Sequence, residues 1–107
     1  MIAVIFEVEP SEGRAARYFE LAGQLKEQLV HQDGFISVER FESLATPGRV
    51  LSLSFWRDEA AVRRWRELDE HRAAQAEGRG GVFAHYRLRV AQVLRDYGLN
   101  DGAQVPQ

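Results

Sequence analysis

Residues 65–75, "WRELDEHRAAQ", bring together side chains that could transfer a proton beside an aromatic ring. His71 and Gln75 are four residues apart, so their side chains can share one face of a helix. An imidazole that titrates near neutral pH can act as a general base on a phenol, and Arg72 or Gln75 can donate a hydrogen bond to an oxygen atom. His71, Arg72 and Gln75 are therefore the candidate catalytic residues.

Trp65 stands among charged residues and has two interpretations. Successive residues of a helix point about 100° apart, so Arg64 and Arg66 need not surround the indole ring. The ring can pack on a sheet as part of the core, as aromatic residues of amphipathic helices usually do, or it can wall a pocket. Under the second interpretation, Phe6 and Leu68 join Trp65 as candidate substrate-binding residues.

Other titratable residues are weaker candidates: His85 could offer a polar group to the pocket, and His31 receives no chemical role. His85 precedes Tyr86 in a predicted strand, where adjacent side chains point to opposite faces, so the two cannot both enter one pocket. His31 falls at the end of the first predicted helix, where a cation suits the helix dipole. The acidic run at 67–70 has no histidine at ligand spacing beyond His71 and is typical of a solvated helix face. No metal site is predicted.

Composition excludes several classes of protein. The 107 residues carry 14 basic and 16 acidic side chains, a net charge of −2, which gives no electrostatic footprint for nucleic acid. There is no cysteine for disulfides or thiolate chemistry. No apolar run has the length of a membrane span, and the first residues lack the basic and long apolar regions of a signal peptide. These features predict a cytoplasmic protein that binds neither nucleic acid nor membrane.

Hydrophobic periodicity predicts six elements. Alternating apolar residues predict strands, and apolar residues that recur every three or four positions predict helices. Ala3 and Ile5 make the first strand apolar on both faces, which indicates a central strand, and Ile36 and Val38 share one face of the second. The predicted elements are a strand at 2–9, a helix at 12–31, strands at 35–42 and 50–56, a helix from the Asp58 cap to glycines 78, 80 and 81, and a strand at 82–97.

The order β-α-β-β-α-β predicts a ferredoxin-like α+β fold, an antiparallel sheet with both helices on one face. A short loop with Pro47-Gly48 turn chemistry joins the second and third strands, which are therefore predicted to pair as an antiparallel hairpin. The other face of the sheet is partly apolar, and such surface usually meets a partner. We therefore expect a homodimer in which two sheets face each other. Residues 1–97 form the predicted domain, and residues 98–107 form a flexible C-terminal tail.

Charges on the last strand are expected to support this dimer. Arg87 and Arg89 alternate with apolar residues, so they lie on one face of the strand. We expect them to form salt bridges across the dimer with Glu7, Glu9 or Glu39.

Three segments, taken in order, resemble the antibiotic biosynthesis monooxygenase domain: "DGFISVERFES", "LSLSFWRDEAAVRRWRELDEHRAAQ" and "HYRLRVAQVLRDYG". The likeness spans residues 2–97. It implies a dimeric α+β barrel with a pocket between the helices and the sheet of each subunit. It also implies either the oxidation of an electron-rich aromatic or quinol substrate with O2 and no metal or flavin, or the binding and cleavage of haem.

The functional residues of that family are matched only in part. The tryptophan of both quinone-forming and haem-cleaving members falls on Trp65. The axial histidine of the haem-cleaving members falls on Gln75, a poorer iron ligand, and their first-strand asparagine falls on Phe6. Haem is therefore disfavoured, and no cofactor is predicted. The asparagine that the quinone-forming members place one turn before the tryptophan falls on Ala61.

Three functions stay open on the sequence alone. The first is a cofactor-independent monooxygenase with His71 as base. The second is a haem-binding or haem-degrading protein. The third is a non-catalytic dimeric module that binds a small apolar or aromatic molecule.

Overall fold

The computed structural model describes residues 1–68, 73 and 76–99. Its elements follow the predicted order, with a short kinked segment before the last strand in which Gly81 has a non-helical φ of +132°. Within those residues, no helix is long and apolar enough to cross a membrane. The elements are β1 (Ile2–Pro10), α1 (Ala15–Leu29), β2 (Phe35–Glu42), β3 (Val50–Trp56), α2 (Glu59–Arg66), the kinked segment (Gly78–Val82) and β4 (Phe83–Gln92).

The four strands form one antiparallel sheet in the order β2-β3-β1-β4. β1 lies between β3 and β4, as its two apolar faces predicted, and β2 and β3 form the predicted hairpin. Residues directly opposite one another in an antiparallel pair point to the same face. Val4, opposite Ser54 of β3 and Val90 of β4, therefore marks the face that the helices cover. The predicted ferredoxin-like α+β fold is confirmed.

The hairpin between β2 and β3 turns at residues 46–49. The Arg49 N–H donates to the Thr46 carbonyl oxygen at 3.1 Å, and Gly48 has a φ of +87°. Proline at the second position and a glycine with positive φ at the third are the preferences of a type II turn. The Pro47-Gly48 pair therefore turns the chain so that β3 returns beside β2.

Two buried clusters lie between the sheet and the helices. One is packed under α2 and the end of α1, and the other under the beginning of α1. Leu25 of α1 packs against both, so this helix spans the two clusters. The buried members are Ile2, Leu29, Trp56, Ala61, Val62 and Trp65 in the first cluster, and Val8, Tyr18, Leu21, Val50 and Val82 in the second.

α2 begins at its predicted cap and ends earlier than predicted. The Asp58 side chain accepts a hydrogen bond from the Ala61 N–H at 2.9 Å, which satisfies a donor that the helix itself leaves free. The Leu68 N–H donates to the Trp65 carbonyl oxygen at 3.2 Å, three residues back, and this tighter turn ends the helix. Residues 73, 76 and 77 are helical again; the rest of the predicted continuation lies outside the described residues.

The connection between α1 and β2 packs directly on the start of α2. Gly34 has a φ of +88°, and a Cβ built on it would lie 2.6 Å from the Ala61 Cβ. The Arg57 N–H donates to the Gly34 carbonyl oxygen at 2.7 Å, and its guanidinium donates to both carboxylate oxygens of Asp33 at 3.1 Å. Glycine is therefore required at position 34 both by its backbone conformation and by the close approach of α2.

Two strand predictions need correction. β4 ends at Gln92 rather than at residue 97, because Gln92 already lies opposite Ile2, the first residue of β1. Ile36 and Val38 do not share a face. Ile36 is the extra residue of a bulge in β2, and it is 52% exposed while Val38 packs under the helices.

The face of the sheet opposite the helices carries most of the large apolar side chains of β3. The alternation of that strand places its leucines and Phe55 on this face, whereas Ser52 and Ser54 point towards the helices. We call this surface the open face. Its apolar residues are Ile5, Phe41, Leu51, Leu53 and Phe55, of which Phe41 is 44% exposed and the others are half-buried.

Two salt bridges on the sheet form within the chain. Arg89 of β4 pairs with Glu7 of β1 at 3.4 Å on the open face. Glu9 pairs with Arg49 at 2.8 Å. Glu7 and Glu9, two of the carboxylates that we expect to pair across a dimer, therefore also have partners within the chain, and the salt bridges across a dimer stay a prediction.

Candidate active site

A cavity of about 200 Å³ lies between the two helices and the covered face of the sheet. A cavity of about 150 Å³ lined by apolar side chains holds a benzene molecule in an engineered lysozyme, so this space can hold an aromatic ring with substituents. Most of the wall is apolar. Val4, Phe6, Leu25, Trp56, Trp65 and Leu88 are among the apolar side chains that line it.

Two tryptophans form one wall of the cavity. Trp56 is 1% exposed and Trp65 is 7% exposed, and their ring centroids lie 6.4 Å apart. The Trp56 Nε1–H donates to the Ser54 hydroxyl oxygen at 3.0 Å, so its polar edge is satisfied. Trp65 belongs to the core cluster and also lines the cavity. Its two interpretations therefore describe two sides of the same ring.

A second aromatic group lies at the other end of the cavity. The Phe6 ring lies 5.7 Å from Phe83 and 5.9 Å from Tyr86, measured between centroids. Phe83 also meets Tyr18 of α1 edge-on, at 6.0 Å. These contacts hold Phe6 within the wall, and the space beside Trp65 stays open.

Tyr18 brings a buried hydroxyl to the cavity wall. Its side chain is 4% exposed, and no described residue forms a hydrogen bond with its hydroxyl. Burial raises the pKa of the Tyr18 phenol above its usual value, and the charge of nearby Arg40 partly opposes this shift. Tyr18 is therefore protonated at neutral pH and available as a donor. A buried hydroxyl without a partner costs roughly 1–3 kcal/mol, so this position favours an occupant that accepts a hydrogen bond.

The mouth of the cavity is basic. Lys26 of α1, Arg40 of β2 and Arg66 of α2 line the cavity and are exposed, so they mark where it meets solvent. None of the three forms an ion pair with a described residue. Glu39 also lies at the mouth, but it is opposite Leu53, and this register directs its side chain to the open face.

The structure brings together part of the predicted site. Phe6 and Trp65 line the cavity, and Leu68 is half-buried against the core cluster beside Trp65. The candidate catalytic residues His71, Arg72 and Gln75 lie outside the described residues.

The described histidines lie away from the cavity. His85 is exposed and opposite Glu9 on the open side of the sheet, and His31 is exposed beyond the end of α1. Among the described residues, no three His, Asp or Glu side chains come close enough to hold a metal ion. The described titratable side chains that line the cavity are therefore Tyr18, Tyr86, Glu39 and the cations at the mouth.

Sequence reasoning missed Tyr18 and Arg40 as site residues. Tyr18 follows the apolar stripe of α1 and resembles any other core residue of that helix. Arg40 shares a strand face with Val38, but an arginine in an edge strand resembles any solvated residue of a sheet. Tyr18 and Lys26 are about two helical turns apart in α1. This spacing could have indicated from the sequence that a phenol and a cation share one side of the helix.

These features define a class of protein: a small ferredoxin-like domain with an apolar, ligand-sized cavity between its helices and its sheet. The sequence profile of the antibiotic biosynthesis monooxygenase family matches residues 1–77. The chain belongs to this family, as the resemblance indicated.

Two curated relatives share clear sequence identity with the chain. A protein of Pyricularia oryzae named jasmonate monooxygenase ABM is 45% identical over 105 residues, which cover 98% of this chain and 49% of that protein. YqjZ of Bacillus subtilis, which is uncharacterized, is 36% identical over 93 residues, covering 87% of this chain and 79% of that protein. The chain therefore spans about half the length of the first of these relatives.

Solved structures share the fold at low sequence identity. A Deinococcus radiodurans protein, described as a candidate antibiotic biosynthesis monooxygenase, superposes with a TM-score of 0.83 at 16% identity, covering 92% of this chain and 98% of that one. Rv0793 of Mycobacterium tuberculosis gives a TM-score of 0.81 at 18% identity, covering 91% and 98%. At these identities the likeness establishes the fold alone.

Proposed function

We propose that the chain is a monooxygenase that oxidises a small electron-rich aromatic or quinol molecule with O2, without a metal or flavin. One observation carries the proposal: a member of this family has a largely apolar cavity of about 200 Å³ with two tryptophans in its wall. An apolar space keeps water from a reactive anion and holds an aromatic ring in a defined orientation.

The proposed reaction takes all of its electrons from the substrate. Removal of the hydroxyl proton of a phenol gives an electron-rich anion that can pass an electron to O2. One oxygen atom of O2 becomes the second carbonyl oxygen of a quinone, and the other leaves as water. The four electrons that O2 accepts balance the oxidation of the phenol to the quinone. The protein supplies a dry pocket, a base and orientation rather than a redox group.

His71 is the proposed base, and Arg72 or Gln75 the proposed donor to a substrate oxygen. These roles rest on the spacing of the three residues from Trp65 in the sequence. Trp65 and Phe6 would contact the substrate because they wall the cavity, and Leu68 would support Trp65 from the core.

Oxygen consumption tests the proposal directly. A panel of phenols and hydroquinones is offered to the wild type and to His71→Ala, with His31→Ala as control because His31 is exposed and away from the cavity. We expect uptake by the wild type, a fall of roughly a hundredfold in His71→Ala, and no change in the control. Isotope-labelled O2 should leave one labelled atom in the product. Uptake no greater than in buffer for every member of the panel would overturn the proposal.

Jasmonate is a second candidate substrate, favoured by the name of the 45% identical relative and by the unpaired cations at the cavity mouth, which suit a carboxylate. Insertion of one oxygen atom into a C–H bond, with reduction of the other to water, consumes two electrons more than the substrate supplies. The jasmonate assay is therefore run with and without a two-electron donor such as NADH. Hydroxylated jasmonate formed only with the donor would favour this reaction over quinone formation.

We do not propose that the protein binds haem. Phe6 brings a ring rather than an amide to the cavity, and no described histidine lines it. Titration with hemin, followed at the Soret band, is expected to show no saturable shift. A saturable shift at micromolar hemin would contradict the proposal that the protein works without a cofactor.

A homodimer is the second part of the proposal. The open face is a band of five large apolar side chains on the side of the sheet that no described helix covers. Exposed apolar surface of this kind usually marks an interaction site. A second copy offers the same band and would cover it, which places the two sheets face to face.

A further inference from the structure

We propose that Tyr18 and Arg40 form an anion-binding end of the cavity, which selects a small apolar ligand that carries a carboxylate or phenolate oxygen. The inference rests on the proposed function in one respect, that the cavity is the ligand site. It adds the chemical class of the ligand and two residues that recognise it.

The first element of this site is the buried hydroxyl of Tyr18. It lies in the cavity wall, is almost fully buried, and lacks a hydrogen-bond partner among the described residues. Its ring is held by Phe19 at 5.2 Å and Phe83 at 6.0 Å, so the hydroxyl cannot turn out to solvent without disturbing both contacts. A polar group in this setting is satisfied when a ligand oxygen accepts its proton.

The second element is the guanidinium of Arg40. Arg40 lies opposite Ser52, and both residues line the cavity. The guanidinium carbon lies 5.7 Å from the centre of the Phe19 ring, which itself contacts Tyr18. Stacking on an aromatic face restrains an arginine side chain and leaves its N–H donors free at the edge. The cation is thereby held beside the same stretch of wall as the Tyr18 hydroxyl.

The charge of Arg40 is not neutralised by the described part of the protein. Five other arginines form ion pairs with carboxylates there: Arg17, Arg49, Arg57, Arg64 and Arg89. Arg40 has no such partner, and neither has Lys26 or Arg66 at the same mouth. An uncompensated positive charge at the opening of a low-dielectric space raises the local concentration of anions and holds them there.

Together, the two groups offer what an anionic oxygen needs. A hydrogen bond to a charged acceptor is shorter and stronger than one between neutral groups. Hydrogen bonds of both kinds are stronger where water is scarce. The rest of the wall is apolar, so the ligand must combine a hydrophobic body with one charged oxygen. A neutral hydrocarbon would leave the Tyr18 hydroxyl unsatisfied, and a highly charged metabolite would lose its hydration against the tryptophans.

Binding of a matched pair of small molecules tests the selection. The probes are 3-phenylpropanoate and 3-phenylpropanamide, which share an apolar body and differ in the charge of the head group. Titration of the wild type, followed by calorimetry or by the fluorescence of Trp56 and Trp65, should show the acid binding about tenfold more tightly than the amide. Equal affinities, or tighter binding of the amide, would overturn the proposal without recourse to any variant.

Two variants assign the selection to the named residues. Tyr18→Phe removes only the hydroxyl, and Arg40→Gln removes the charge together with the guanidinium that stacks on Phe19. Each should weaken binding of the acid by about threefold to tenfold and leave binding of the amide within twofold. Arg63→Gln, an exposed arginine of α2 outside the cavity wall, is the control and should change neither. An equal loss in Lys26→Gln and Arg40→Gln, with none in Tyr18→Phe, would indicate a diffuse positive field and overturn the assignment.

A phenol that titrates near neutral pH distinguishes the two kinds of anion. The phenolate of 4-nitrophenol absorbs in the visible range, so its fraction can be read in the bound state. The proposed site should lower the apparent pKa of the bound phenol in the wild type and do so less in Tyr18→Phe and Arg40→Gln. Such a shift identifies a phenolate site, whereas acid selection without it identifies a carboxylate site. Absence of both effects would overturn the proposal.

The outcome is separable from that of the proposed function. None of these measurements requires turnover, so anion selection can hold in a protein that consumes no oxygen. Conversely, oxygen uptake with a neutral quinol and no preference for anions would support the monooxygenase and reject the anion-binding end.

Discussion

Trp65 of α2 lies against Trp56 of β3, with the ring centroids 6.4 Å apart and the ring planes at 32°. Both rings are buried, and both line the cavity. The indole that stands among arginines in the sequence is therefore held in the core on one side and faces the candidate ligand space on the other. Replacing Trp65 should therefore lower both the stability of the fold and the affinity for a ligand.

We expect Trp65→Ala to lower the free energy of unfolding by about 3 kcal/mol, the lower part of the range for buried aromatic residues. The value is at the low end because one side of the ring already borders a cavity. Trp65→Phe, which keeps an aromatic ring on Trp56, should lose less than half as much. Urea unfolding followed by circular dichroism gives both values. A loss below about 1 kcal/mol in Trp65→Ala would mean that the ring is not a core residue.

Gly34→Ala should destabilise the protein more than the same change at Gly48. Both glycines have a φ near +88°, at +88° and +87°, so both substitutions strain the backbone equally. A Cβ at Gly34 would lie 2.6 Å from the Ala61 Cβ, whereas nothing lies within 4 Å of one at Gly48. We expect a cost of about 1 kcal/mol at Gly48 and about twice that or more at Gly34.

The double variant Gly34→Ala with Ala61→Gly isolates the clash between the two side chains. It should recover the part of the loss that exceeds the Gly48 value, apart from the helix penalty of about 1 kcal/mol for glycine at position 61. Equal unfolding midpoints for Gly34→Ala and Gly48→Ala would show that the close approach of α2 has no energetic consequence.

The carboxylate of Asp58 should make stability depend on pH in acid. The hydrogen bond from the Ala61 N–H, and then that from Arg57, lower the pKa of Asp58 below its ordinary value. A carboxyl whose pKa is lowered by folding stabilises the protein above the unfolded-state pKa of about 3.9. That contribution is lost as the pH falls through the lower, folded-state value.

Thermal unfolding between pH 7 and pH 2 measures this contribution. Asp58→Asn keeps the cap without the charge, so its midpoint should fall less than that of the wild type over this range. Asp58→Ala should unfold at a lower temperature than Asp58→Asn at pH 7. Asp96→Asn, at an exposed carboxylate with no ion pair among the described residues, is the control. Parallel pH curves for the wild type and Asp58→Asn would contradict the prediction.

Most of the fold could be predicted from the sequence because short-range residue preferences determine most of its elements. The Asp58 cap, the Pro47-Gly48 turn and the two apolar faces of β1 each specify a neighbouring element within a few residues, and each is found where predicted. The end of β4 was misplaced because the length of a strand depends on its partner, and β1 begins at Ile2. That information is not contained in the sequence of β4.

The residues of the site were harder to predict from the sequence, because the lining of the cavity depends on which face of each strand the helices cover. The alternation in β3 identifies a strand but does not say that Ser52 and Ser54, rather than the leucines, face the helices. The bulge at Ile36 offsets the start of β2 from the alternation of the rest, so Phe35 joins Val38 and Arg40 on the covered face. Arg40 could be recognised as part of the cavity only once the pairing of β2 with β3 identified that face as the covered one.

The open face should hold two copies of the chain together, and one charge placed in its centre should separate them. Leu53 is half-buried on this face, flanked by Ile5 of β1, which lies opposite it. Leu53→Glu would place a second carboxylate beside Glu39, which lies opposite it on the same face, and would bury this repulsive pair against the partner's apolar band. We therefore expect the wild type to sediment as a dimer and this variant as a monomer at micromolar concentration. Leu44→Glu adds the same charge at a fully exposed hairpin residue and should remain dimeric. A wild type that sediments as a monomer over that range would reject the face-to-face dimer.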